Sequence, residues 1–348
     1  MRLKYKIKKF LSVLVIVFLI LIVSAGLLFG IYAKISGTYG DMNNDGKLDS
    51  KDLIYMLSTL ANWKEYESIH QEIKEIRIMS YNILNPEWAG GGAEAKDPAI
   101  DLRDELVEAI IKDYAPDVVG LQEVCPDWHS ALNEKLVKNG TYKFCNKTLN
   151  NGQGNGFYEF NYTILMYNSE TVELLEEYTL GLDDENDWRV FSFARFKRKS
   201  DDKQFIVVNN HTEASKGDDQ DQDFDSIIEK ANAAMAKYKD VPFIMIGDYN
   251  AFELMNYFPK FVEMKEECNL KNAHLDAEKF GTTYATYFGW GGTPATSHSI
   301  INAYGGKYTL DHILVNDDAD IKYYSTVIDH SVTDASDHLP IYADIRLN

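Results

Sequence analysis

Hydrophobic positions fall into three regimes along the chain. Phe10 to Ala33 is an apolar run without a charge, Gly40 to Leu60 is polar with helix-spaced apolar residues only after Leu53, and from Ile76 short apolar runs alternate with longer segments of helical spacing. In this last region Ile76 to Asn82 alternates like a half-buried strand. Ile100, Leu102, Leu106, Val107, Ile110 and Ile111 mark the buried side of a helix, and Val118 to Leu121 is a buried strand. Trp128, Leu132 and Leu136 outline a second helix. Thr163 to Tyr167 with Val172 to Tyr178 reads as one strand pair, and Arg189 to Phe196 with Gln204 to Asn210 as another. The Asp-rich run Gly217 to Asp225 reads as a solvated loop leading into a helix from Ser226 to Tyr238. Phe243 to Ile246, Thr309 to Val315 and Ile341 to Ile345 complete the strands, with long loops at 89–95, 150–156 and 281–306.

The first regime predicts an anchor. Residues 1–9 carry Arg2, Lys4, Lys6, Lys8 and Lys9 and no acid, and the apolar run 10–33 exceeds the roughly 20 residues that span a bilayer. The basic flank places the N-terminus in the cytoplasm and the rest outside. A secreted protein released by signal cleavage is the alternative, but a signal core is usually about 7 to 15 residues and no A-x-A site stands out.

The second regime carries calcium chemistry. Asp41, Asn43, Asp45, Asp49 and Asp52 fall at the oxygen-ligand positions of a calcium loop, with Gly46 at the sharp turn and Lys47 offering its carbonyl. Residues 38–61 resemble one repeat of a dockerin, the calcium-binding module of cellulosome proteins. A dockerin normally has two repeats and one is found here, so a cohesin partner and a calcium-stiffened spacer both remain open. A polar linker, 62–74, follows.

Composition narrows the function. With 348 residues, 45% of them hydrophobic, the chain can build one large domain plus appendages, and its net charge of -19 argues against charge-driven binding to nucleic acid or anionic lipid. Three cysteines, Cys125, Cys145 and Cys268, are too few and irregular for a zinc site, and at most one pair could bridge.

The candidate chemistry sits at strand ends. In Pro242 to Phe252, Gly247 ends a buried strand and is expected to deliver Asp248 and Asn250 to solvent. Asn82, Glu123, His211, Asp311, Asp337 and His338 lie in or beside other strand ends, a set of oxygen and imidazole groups without cysteine that suits a hard divalent cation and a phosphate. Taken singly, Glu123 reads better as a helix cap, His211 as a core histidine and Asp311 as a turn residue.

Taken together the order is informative. S-Y-N-I, L-Q-E-V, N-N-H-T, G-D-Y-N, L-D-H-I-L-V and S-D-H-L-P-I resemble, in sequence and order, the motifs of the endonuclease/exonuclease/phosphatase superfamily. The resemblance covers residues 75–348 and implies a DNase I-like, four-layered α/β sandwich of two packed mixed sheets flanked by helices. It implies that Glu123 is the principal ligand of Mg²⁺ or Mn²⁺, with Asn82 and Asp337 near the metal or the phosphate. Asp248 would orient or deprotonate the attacking water, and Asn250 would hold that water and a phosphate oxygen. His338 and His211 would donate to the phosphoryl oxygens, and Asp311 would fix the His338 tautomer. Arg189 would touch a phosphate or lie buried against a core acid. His312 departs from the Tyr common after Asp311, and Asn210 from the Thr common before His211.

The implied function is metal-dependent hydrolysis of phosphoesters outside the cell, with phosphodiesters of nucleic acid first among substrates and phospholipid or inositol phosphates second. A reading from another class is a dockerin-type assembly module with an inactive catalytic domain.

Overall fold

The structure, a computed structural model, describes residues 75–89, 98–138, 140–145, 161–182, 189–253, 256–292, 294, 308–329 and 331–348. The expected anchor, the calcium loop and the linker lie outside these residues. Among the described residues no helix is long and apolar enough to cross a membrane. All of them belong to the compact unit Lys74–Asn348, which contacts within the chain separate from Met1–Ile73.

Two six-stranded mixed sheets make up this unit. The first contains β1 (Glu75–Asn82), β2 (Val118–Gln122), β3 (Tyr142–Cys145), β4 (Ile164–Asn168), β11 (Ala319–Thr326) and β12 (Ile341–Leu347), in the order β11-β12-β1-β2-β4-β3. The second contains β5 (Val172–Gly181), β6 (Val190–Arg198), β7 (Gln204–His211), β8 (Phe243–Asp248), β9 (Lys271–Asn272) and β10 (Asp311–Val315), in the order β5-β6-β7-β8-β10-β9. Only β1 with β2 and β7 with β8 run parallel; the other pairs are antiparallel.

Side-chain alternation sorts the core into layers. Ile76, Ile78 and Val118 of the first sheet meet Val207, Ile244, Ile246 and Ile313 of the second. Their neighbours point outward: Met79, Tyr81, Val119 and Leu121 pack against Val107, Ile110 and Ile111 of α1 (Asp104–Tyr114) and Trp128 of α2 (Pro126–Leu132). On the other face Ile206, Val208, Phe243 and Met245 pack against Phe224 and Ile227 of α3 (Asp218–Lys237) and Phe261 of α4 (Pro259–Glu267). Central strands are covered on both sides, which is why they read as continuous apolar runs. This is the four-layered sandwich the resemblance implies.

The structure revises several expectations. Thr163 to Tyr167 and Val172 to Tyr178 are not a strand pair, because β4 joins β2 and β3 in the first sheet while β5 edges the second. Two adjacent apolar runs carry no signal for which sheet each joins. The Asp-rich run 217–225 is not a loop: α3 begins at Asp218, with Asp218, Asp219 and Asp221 in its first turn, where the positive end of the helix dipole favours acids. Within it Gln220 and Asp223 are buried, and Asp223 Oδ2 accepts the Glu213 amide over 2.7 Å. The helix after Ile100 starts with a 3-10 turn, Ile100–Leu102, before α1. The helix through Trp128 ends as a π-helical segment, Asn133–Val137. Cys125, Cys145 and Cys268 are free, so no pair bridges.

Candidate active site

Parallel pairing brings the ends of β1 and β2 to one edge of the first sheet, and those of β7 and β8 to the same edge of the second. Asn82 ends β1, and Glu123 follows β2 in a left-handed conformation (φ 65°). His211 ends β7 and is paired in register with Asp248, which ends β8. β10 is antiparallel to β8, so its first residue, Asp311, also falls opposite Asp248. β12 is antiparallel to β1, and the segment before it brings in Asp337 and His338. Gly247 makes the approach of β7 and β8 feasible: it has φ +148°, and a Cβ there would lie 2.0 Å from the Asn210 carbonyl oxygen.

Side-chain bonds cross the sandwich at this edge. Asn82 Nδ2 donates to Glu123 Oε1 (2.8 Å) and to Asp248 Oδ2 (3.0 Å), while its Oδ1 accepts the Leu84 amide (3.0 Å). Glu123 Oε2 accepts the Asn85 amide at 2.7 Å. Asp248 Oδ1 accepts the Asn250 amide at 2.9 Å, and Asn250, itself left-handed (φ 46°), donates its side-chain amide to the Thr212 carbonyl. His338 Nδ1 lies 2.8 Å from Asp311 Oδ2, and Nε2 of both His338 and His211 lies 3.6 Å from Asp248 Oδ2. Asp248 is only 1% exposed, so it is not delivered to solvent as expected: the carboxylate is enclosed by these partners.

Burial and charge set the protonation states. Burial alone would raise Asp248, but His338, His211 and the bonds from Asn82 and Asn250 hold it below the ordinary carboxylate range. Burial would likewise lower His338, yet Asp311 and Asp248 hold it well above the usual imidazole value. His211 is pushed down to about 3 by burial and the nearby Arg189. Glu123 is pushed up to about 7 by burial and by the charge of Asp337, and Asp337 is itself raised by burial.

The residues expected at the phosphoester site gather here. Glu123, Arg189, His211, Asp248, Asn250, Asp337 and His338 line one cavity of about 550 Å³, with Asn82 and Asp311 behind them. Arg189 is buried on the cavity wall and donates to His211 O (3.2 Å) and to Oε2 of the part-exposed Glu213 (3.4 Å).

Among other contributors Arg103 and Thr286 carry no motif, and Ser336 opens S-D-H-L-P-I without a role expected of it. Buried Arg103 donates to the carbonyls of Pro98, Ile83, Leu84 and Ala335 at 2.8 to 2.9 Å, tying the loop after β1 to the segment before Asp337. Thr286 Oγ1 accepts the amides of Leu310 and Asp311, and Ser336 Oγ donates to the Asn82 carbonyl. Their signals are single polar residues whose partners lie far along the chain.

The sequence pattern of the family model for the endonuclease/exonuclease/phosphatase family matches residues 79–338. This chain belongs to that family. It is accordingly a hydrolase acting on phosphoesters. Among solved structures the fold is similar to an endonuclease/exonuclease/phosphatase from Bacteroides vulgatus (21% identity, 79% of this chain and 99% of that one, TM-score 0.61). It is also similar to a mannosyl-6-phosphatase of Bacteroides thetaiotaomicron (18%, 78% and 99%, 0.60) and to the human nocturnin catalytic domain with bound sulfate (19%, 79% and 95%, 0.56). At these identities the likeness shows the fold. No curated protein sequence matches the chain.

Family members are typically dependent on a divalent metal, and the donor set fits one. Glu123 and Asp337 are two carboxylates on one cavity, both held above the ordinary range by burial, with the charge of Asp337 adding to the shift of Glu123, a conflict that a dication relieves. Asp248, Asp311 and His338 also bring donor atoms within 4.8 Å of one another. In that cluster His338 lies between the two acids, hydrogen-bonded to Asp311 and 3.6 Å from Asp248, and they hold it in its charged form.

Proposed function

We propose that the chain is a Mg²⁺-dependent hydrolase of phosphodiesters, working outside the cell from a membrane anchor with water as the nucleophile. The observation that carries this reading is the His338 imidazole held between Asp311 and Asp248, with Asp248 bonded through Asn82 to Glu123.

In this reading Glu123 and Asp337 hold Mg²⁺, or Mn²⁺ in its place. Asn82 donates its amide N–H groups to Glu123 and Asp248 and so positions the metal ligand relative to the base. The cation supplies charge neutralisation at the phosphoryl oxygens. Asp248, ionised, aligns the water and takes its proton as the new P–O bond forms and the leaving oxygen departs from the far side. Asn250 gives one Nδ2–H to the Thr212 carbonyl, so its side-chain oxygen would accept from the water and its second N–H would donate to a phosphoryl oxygen. His338 and His211 donate toward the phosphoryl oxygens as charge builds, and Arg189 adds a fixed positive charge on the cavity wall. Asp311 orients His338 and keeps it charged.

The location rests on the sequence alone: the apolar run 10–33 behind a basic flank, with calcium at Asp41, Asn43, Asp45, Lys47, Asp49 and Asp52. A phospholipid or inositol phosphate as substrate is the second reading, favoured by an anchor that holds the cavity near a bilayer. Purified full-length chain with Mg²⁺ is to be assayed against DNA, RNA, sphingomyelin and inositol phosphates. Hydrolysis of a diester abolished by chelation is expected. Monoesters as the sole substrates would overturn the diester reading, and turnover unaffected by chelation would overturn the metal.

A further inference from the structure

The cavity contains a cation that the chemistry above does not use. Lys216 lines it, and its Nζ stands 4.2 Å from the ring centroid of Tyr257 and 5.5 Å from that of Phe258. Tyr257 is backed by Phe252, stacked at 5.5 Å, and Phe252 in turn by Tyr308 at 5.6 Å with the rings 3° from parallel. With the ammonium over one face of Tyr257 and Phe252 stacked on that ring, the aromatic ladder serves to present the lysine.

The loop that carries Lys216 is tied down. Glu213 Oε1 accepts the amides of Ala214 and Ser215, its own amide donates to Asp223, and Gln220 Nε2 donates to the carbonyls of both Glu213 and Asn250. Lys216 is thereby coupled to the backbone of Asn250. Among the described residues no carboxylate comes within ion-pairing distance of its ammonium, although the chain has a net charge of -19. Arg189, the other permanent cation on the cavity wall, is directed at Glu213 and the His211 carbonyl.

We infer that Lys216 recognises a second phosphate group of the substrate, beside the phosphoryl group that is cut. The inference rests on the reading of this cavity as the phosphoester site. The cavity, at about 550 Å³, falls in the roughly 300 to 1,000 Å³ range of sites that enclose a whole small molecule, so it has room beyond one phosphoryl group. A phosphate suits a lysine because it meets a compact point charge with three donors, and Glu123, Asp248 and Asp337 elsewhere on the wall repel it. A neighbouring phosphate of a nucleic acid backbone and a second phosphate on a polyol share this chemistry.

Calorimetry on the full chain tests it with two pairs of probes: adenosine bisphosphate against adenosine monophosphate, and inositol bisphosphate against inositol monophosphate. Wild type is expected to bind the bisphosphate about tenfold more tightly in at least one pair, the advantage of one charge-assisted contact. The pair that shows it identifies the source. In Lys216→Met the ratio should fall to near one, and in Lys216→Arg it should persist. A ratio near one in wild type for both pairs, or a ratio that Lys216→Met leaves intact, overturns the inference. Hydrolysis of p-nitrophenyl phosphate and of bis(p-nitrophenyl) phosphate by wild type reports separately: if Mg²⁺ elicits neither, the reading of the cavity fails while the binding ratios still decide the role of Lys216.

Discussion

His338 donates its Nδ1–H to Oδ2 of Asp311 over 2.8 Å, and both residues are buried. In the proposed mechanism the acid acts only through the ring it orients, whose Nε2 is left facing Asp248 and the cavity. His338→Ala and Asp311→Asn should each lower turnover on the substrate found by the panel, by roughly 10²- to 10⁴-fold for the histidine. The double variant should be about as impaired as His338→Ala alone. Losses that multiply would mean that Asp311 acts by a route of its own.

The two histidines facing Asp248 should titrate in opposite senses. His211 has its pKa pushed down from 6.5 to about 3, whereas the two acids flanking His338 push it up. In metal-free protein, histidine-selective NMR at pH 7 should show His338 as imidazolium and His211 neutral. For stability the signs follow from linkage: below pH 6.5 the unfolded His211 takes a proton that the folded form refuses, so stability falls as pH drops toward 3. His312, pushed down to about 4, contributes with the same sign. His338 contributes stability that is fully present below 6.5 and lost as pH rises through its folded pKa. A His211 resonance that titrates near its ordinary value would contradict the packing of this edge.

Arg103 holds the carbonyls of Ile83, Leu84 and Ala335, on the two segments that carry Asn82 and Asp337, and that of Pro98. Lysine cannot reproduce that planar fork, so Arg103→Lys should lose about 2 kcal/mol in denaturant unfolding, the scale of hydrogen bonds to a charged group. It should also lose turnover. Arg77→Lys, which breaks a two-pronged bond to Asp344 within the first sheet, is the matched control. That variant should lose comparable stability and keep its turnover; equal turnover loss in both would reduce Arg103 to a structural residue.

What was legible in the sequence follows from the physics of each feature. Strands covered on both faces announce themselves as apolar runs, so β1, β2, β7, β8 and β10 are readable and bring the motif residues at their ends with them. Sheet membership is a long-range property, and nothing in the run 163–178 tells β4 from β5. Asp218 to Asp223 looks like a loop because acids dominate it, although helix polarity favours them there. Arg103, Thr286 and Lys216 act through partners distant in the chain, so no local pattern marks them.

The N-terminal regimes lead to a separate expectation. A tag at residue 348 should be digested by protease added to intact cells, and calcium titration should lose one site in Asp45→Ala while hydrolysis persists. Protection of the tag would reverse the topology, and joint loss of calcium binding and hydrolysis would make residues 40–52 part of the catalytic unit.

The division of labour between Glu123 and Asp248 is the centre of the account, and turnover measured against Mg²⁺ concentration tests it most directly. Glu123→Gln removes a charge beside the cation while keeping its shape, so turnover should fall steeply and recover in part as Mg²⁺ rises. Asp248→Asn removes the group that acts on the water, so it should lose ~10²- to 10⁴-fold with no recovery at any Mg²⁺ concentration. Equal recovery of both variants would contradict the account, because Asp248 would then serve the cation and another group would prepare the water.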